Sequence, residues 1–135
     1  MTPLETVQIF LDHMFSGRRT DALALVADDC RLIAGRPQSG DATALYGTYV
    51  GPAGAAELFR RFDEHLEPGR FDVDARFADG EHVGMYGALR HRGRATGREF
   101  VSDWALMCRV RHGWLTLYHF YEDTAALEAA ICGGR

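Results

Sequence analysis

Between Pro3 and Ser16, Leu4, Val7, Leu11, Met14 and Phe15 recur at spacings of three and four, which predicts an amphipathic helix with one buried stripe, ended by Gly17. A short second helix over Arg19 to Ala27 carries Leu23 and Val26, and a brief strand follows from Cys30 to Ala34. Residues 35–51 are rich in glycine and polar side chains around Tyr46 and Tyr49. They read as a long binding loop or lid with a short strand before Gly51. Pro52 opens a third helix through Ala55, Phe59, Phe62 and Leu66, which Glu67-Pro68-Gly69 should stop.

Beyond Pro68 the period changes to two. Phe71, Val73, Ala75 and Phe77 alternate with Asp72, Asp74, Arg76 and Ala78, the pattern of a half-exposed strand. Asp79-Gly80 predicts a hairpin into a strand from Glu81 to Arg92, and Gly93 to Gly97 turn again. Arg98 to Arg111 and Trp114 to Glu122 then form a last antiparallel pair about His112-Gly113, before a helix capped by Asp123 or Thr124. In the longer of these two strands, Phe100, Ser102, Trp104, Leu106, Cys108 and Val110 make the inward face. The opposite face is still too apolar in its middle for open solvent, so a homodimer through the outer sheet face is expected.

Composition narrows the class. A chain of 135 residues with 47% apolar and 25% charged residues fits one globular domain, 1–135, with neither disorder nor a membrane span. Met1-Thr2-Pro3-Leu4-Glu5 puts an acid where a secretory signal carries positive charge, and the three cysteines suit neither a disulfide framework nor a zinc ribbon. A reducing cytoplasm is the expected compartment. All fifteen basic residues are arginine, yet the net charge of −4 argues against nucleic acid as a partner.

Helices first, then a curved sheet with one helix inserted between its strands, resembles the NTF2-like superfamily, which includes ketosteroid isomerase, limonene epoxide hydrolase and SnoaL-like polyketide cyclases. The residues that carry the resemblance are Ala27-Asp28-Asp29 before the first strand, Tyr49-x-Gly51 before the third helix, Arg109-Val110-Arg111-His112-Gly113 at the turn, and Tyr121-x-Asp123-Thr124 opening the last helix. The resemblance implies an α+β, cystatin-like cone: helices packed on a strongly curved antiparallel sheet around one apolar pocket, with no cofactor or metal required. It does not imply the isomerase reaction. The isomerase's catalytic tyrosine, general base and oxyanion-hole aspartate fall on Phe10, Ala34 and Leu106, and the epoxide hydrolase's acidic and basic positions fall on residues 85–89 and Phe120. Phe10, Ala34 and Leu106 carry no ionisable group and cannot abstract a proton or hold an enolate, and the hydrolase's chemistry is unsupported as well.

With the inward phase carried onto the last strand, Tyr118, Phe120 and Glu122 face the pocket. Glu122 is the expected acid or base, because a carboxyl among aromatic walls loses solvation, and Tyr118 the expected hydrogen-bond donor. Phe10, Met14, Tyr49, Phe59, Trp104, Leu106 and Phe120 are expected to bind a small apolar organic molecule. The expected role is binding, with isomerase, cyclase, dehydratase or hydrolase chemistry if the protein is an enzyme; a non-catalytic carrier or dimerisation module is the alternative. His91 shares the inward phase but lies beside Arg90, Arg92, Arg94 and Arg98, and it reads as a solvated hairpin end, with a catalytic role as the alternative. Asp103 reads as an outer-face partner of Arg109 or of a neighbouring strand. Gly51-Pro52-Ala53-Gly54 lacks a phosphate-loop lysine and reads as a helix start.

Overall fold

The structure, a computed structural model, describes residues 1–38 and 45–132. Helix α1 (Pro3–Phe15) starts where Thr2 and Glu5 cap each other reciprocally, the Thr2 hydroxyl accepting from the Glu5 amide at 3.1 Å and the Glu5 carboxylate from the Thr2 amide at 2.8 Å. It buries Val7, Phe10, Leu11 and Met14. Phe15 departs from the expected stripe: it is half-exposed and leans on Phe71. Helix α2 (Arg19–Leu23) is shorter than its apolar pattern suggests, because Val26 already pairs with Leu115 in the sheet.

Strands β1 (Val26–Ala34) and β2 (Gly47–Val50) pair antiparallel. β2 occupies the end of the expected lid, while residues 39–44 of that segment lie outside the described residues. Helix α3 (Gly51–His65) begins at the glycine that was read as a helix start and buries Ala55, Leu58 and Phe59. It leads directly into β3 (Leu66–Asp79), β4 (His82–Gly93), β5 (Glu99–Arg111) and β6 (Trp114–Glu122), closed by α4 (Thr124–Cys132). The strand order is β2-β1-β6-β5-β4-β3. The fold is the expected α+β, NTF2-like one, with two refinements. The sheet is mixed, because β1 runs parallel to β6, and it is open at β2 and β3 instead of closing into a barrel.

All six residues assigned to the inward face of β5 are buried. On β3 the expected alternation breaks. Phe71 and Val73 pair with Leu89 and Gly87 on the inward face, but the register shifts between Val73 and Ala75. Beyond this bulge Ala75 sits beside exposed Tyr86, and Phe77, half-exposed, lies over Gly84 on the outer face. One inserted residue reverses the phase, so Phe77 leaves the core that its spacing had promised. Helix α3 ends at His65, just short of the expected stop at Glu67-Pro68-Gly69, and a second irregularity, between Glu67 and Arg70, absorbs Pro68 on the edge strand. Gly69 is required in it, since a Cβ would stand 2.3 Å from the Arg90 carbonyl oxygen.

Candidate functional site

The concave face of the sheet and α3 enclose a narrow aromatic cavity of about 50 Å³, open at its mouth. Helix α3 supplies Leu58, Phe59 and Phe62, spaced so that one helix face lines the roof. Phe71 of β3, Leu89 and His91 of β4, and Tyr118, Phe120 and Glu122 of β6 form the floor and walls. Phe15 stands at the mouth, where it also borders the surface grooves beside α1.

The floor is a stack of flat rings. Phe71 lies on Trp104 with ring centres 4.5 Å apart and planes 14° apart, and Phe120 flanks the same indole at 5.5 Å and 16°. The Trp104 indole N–H donates to the Asp72 carbonyl at 3.2 Å, so its polar edge is satisfied by backbone. A tight approach makes this possible. Gly87 lets the Asp72 carbonyl pass where a Cβ would lie 1.8 Å from its oxygen.

Glu122 faces Trp104 across the β5–β6 ladder and reaches the cavity wall, as expected from the strand phase. Among the described residues no hydrogen bond or ion pair reaches its carboxyl. Burial among aromatic rings therefore pushes its pKa up to about 8. Tyr118 is buried, packs edge-on against Phe10 and Phe59 at 5.9 Å, and has its phenol pushed upward by burial, so it remains a protonated donor. Glu122 and Tyr118 are four residues apart on one face, roughly 13 Å along the strand, and so address different parts of any ligand.

Of the expected pocket residues, Phe59, Phe120, Tyr118 and Glu122 line the cavity. Phe10 and Leu106 do not. Both are closed into the core, Phe10 behind Phe59 and Tyr118, and Leu106 between Met85 and Phe120 on neighbouring strands. Trp104 supports the wall from beneath Phe71 and Phe120 instead of presenting its own face. Met14 borders the neighbouring groove, not the cavity. Tyr49 is held elsewhere: its hydroxyl donates to the Leu45 carbonyl at 2.8 Å and accepts from Arg61 at 3.3 Å.

His91 had been assigned to a solvated end, and the structure corrects this. It is 6% exposed although only two residues from the end of β4, and it lines the cavity. Strand alternation is the signal that holds, because Val83, Met85, Leu89 and His91 share one phase while Arg90 and Arg92 point outward, and the charge of those neighbours does not override it. Asp103 stands on the outer face as expected, but Arg109 pairs with Glu81 at 2.9 Å and not with it.

The chain matches the SnoaL-like domain family over residues 7–118. The crystal structure of an NTF2-like protein from Burkholderia xenovorans superposes with a TM-score of 0.83, at 30% identity over 96% of this chain and 95% of that one. Patulin synthesis protein F of Aspergillus clavatus is 31% identical over 78 residues, 57% of this chain and 39% of its own length. Patulin biosynthesis cluster protein F of Penicillium expansum is 28% identical over 109 residues, 74% of this chain and 53% of its own. The chain thus spans about half or less of the length of these two relatives. The match runs through four-fifths of the sequence and the fold agrees with it: the chain belongs to the SnoaL-like domain family.

Proposed function

We propose that the protein binds a small, mostly apolar, ring-bearing molecule in the aromatic cavity and transforms it by cofactor-independent acid–base chemistry, with Glu122 as acid or base and Tyr118 as hydrogen-bond donor. The observation that carries this is the Glu122 carboxyl itself. It stands in an aromatic wall without a hydrogen bond or ion pair among the described residues, and its pKa is raised to about 8. A carboxyl with that pKa is mostly protonated at neutral pH and can both give and retake a proton, which suits isomerase, cyclase, dehydratase or hydrolase chemistry. A structural carboxylate would instead be paired and pushed down, as Glu57 is by Arg60 and Arg61. The two fungal relatives, whose names place them in the synthesis of a small molecule, support a ligand of that size.

Turnover of ring-bearing lactones, enones and epoxides by wild type and by Glu122→Gln tests the proposal. Loss of turnover in the variant, with ligand binding kept, is expected; equal turnover removes Glu122 from the mechanism. A non-catalytic carrier or dimerisation module is the second reading, favoured by the hydrocarbon at Phe10, Ala34 and Leu106. Native mass spectrometry separates the two, since a carrier retains one apolar molecule per chain and turns over none.

We further propose that the outer face of the sheet pairs with a second copy of the chain. Tyr86, Val101, Met107 and Tyr121 are all at least 40% exposed there, in adjacent rows set by the β4–β5–β6 register. The Arg90–Glu99 and Arg109–Glu81 pairs rim this apolar centre with charges of both signs, as a self-complementary interface requires.

A further inference from the structure

The cavity holds a third polar group that the acid–base proposal leaves unused. His91 Nδ1 accepts the Gly69 N–H at 3.0 Å. A neutral imidazole carries one proton, and with Nδ1 occupied as an acceptor that proton resides on Nε2, which becomes a donor. The ring is clamped in this orientation: Phe62 meets it edge-on at 5.5 Å, Phe100 flanks it at 6.5 Å, and the Gly69 backbone fits against the Arg90–His91 strand only because it lacks a Cβ. Burial lowers the pKa of the imidazole and favours its neutral form, against a hydrogen bond with the Arg90 backbone that raises it.

The register places the three polar groups in sequence along β5: His91 level with Phe100, Glu122 with Trp104, and Tyr118 with Cys108. His91 and Glu122 are therefore four residues apart along the strands, roughly 13 Å, and on strands separated by β5. They cannot bond each other, and they address different atoms of one ligand.

We infer that His91 is a ligand-binding residue whose Nε2–H grips a carbonyl or ether oxygen at one end of a ring-bearing ligand, fixing which carbon is presented to Glu122. The ligand class is thereby narrowed from an apolar molecule to an oxygenated one, with an acceptor oxygen remote from the reacting position. This rests on the cavity being the binding site, as proposed above, but not on Glu122 being catalytic.

The test uses 2-acetylnaphthalene and 2-isopropylnaphthalene, which share a shape and differ in the carbonyl. Both are titrated calorimetrically at pH 9, where Glu122 has given up its proton, in a Tyr118→Phe background, so that His91 is the donor left among the described lining side chains. About tenfold tighter binding of the acetyl compound is expected, the value of one net hydrogen bond. Adding His91→Phe is expected to abolish that preference while the isopropyl compound still binds. A preference that survives His91→Phe, or is absent before it, overturns the inference and leaves the cavity intact as a site. Failure of both compounds to bind wild type overturns the cavity itself. Nitrogen NMR of the wild-type protein decides independently of any variant's folding: Nε2 should carry the proton and shift with the acetyl compound alone, and an Nδ1–H tautomer contradicts the inference.

Discussion

Glu122 and Trp104 stand directly opposite each other on β6 and β5, so the carboxyl that reaches the cavity shares its strand level with the indole on which Phe71 and Phe120 stack. The stack removes water from one side of the carboxyl, and among the described residues no cation replaces it. That is the physical origin of the raised pKa, and its consequences can be measured one by one.

Stability should depend on pH through Glu122. Below pH 4.5 the group is protonated whether the chain is folded or not. Between 4.5 and about 8 the native state keeps a proton that the unfolded chain releases, so stability falls as pH rises through this window and levels off above it. Glu122→Gln lacks the effect. The variant should gain on wild type between pH 5 and pH 8.5 by up to a few kcal/mol in urea unfolding, and parallel curves would contradict the burial.

Phe10 and Leu106 belong to the core and not to the ligand surface. Phe10→Ala should cost about 3–5 kcal/mol and Leu106→Ala about 2–5 kcal/mol in denaturant unfolding. At temperatures where each variant is folded, affinity for a cavity ligand should change far less than it does in Phe59→Ala or Phe120→Ala.

Gly87→Ala tests the close approach that lets the Asp72 carbonyl reach the Trp104 indole. The added methyl would force β3 away, with a cost of about 1–3 kcal/mol. With Trp114 replaced by Phe, the remaining indole, Trp104, should report the change as a red-shifted emission. An unchanged spectrum would mean that the stack does not depend on the glycine.

The proposed pairing of the outer faces has a simple readout. Met107→Arg and Tyr121→Arg place charge in the centre of the apolar rows and should convert a dimer to a monomer in sedimentation velocity, with the fold kept by circular dichroism. A monomeric wild type, or a dimer unmoved by both changes, would contradict the pairing.

Where the strands alternate without interruption, the sequence was enough to place side chains. Trp104 and Leu106 on β5, and Tyr118, Phe120 and Glu122 on β6, face inward as period two requires, because no bulge falls between residues 118 and 122. On β3 the inserted residue near Asp74 sent Phe77 to the other face, and nothing in its local composition marks the insertion. His91 was hidden by its arginine neighbours, whose charge suggested solvent when alternation alone assigned them to opposite faces. The parallel pairing of β1 with β6 depends on a long-range choice of partner that no local pattern encodes. Facing the concave side was also not sufficient to border the cavity: Leu106 points inward but is covered, and the residues that reach the space are those that α3 and the end of α1 leave uncovered.

The most direct measurement is a pH titration of the Glu122 side-chain carbonyl carbon by NMR, assigned by comparison with Glu122→Gln. A midpoint close to 8 is expected, with Trp104 ring resonances following the same transition. A midpoint near the ordinary value of 4.5 would mean that water or a cation reaches the carboxyl, and the acid–base role proposed for it would fall.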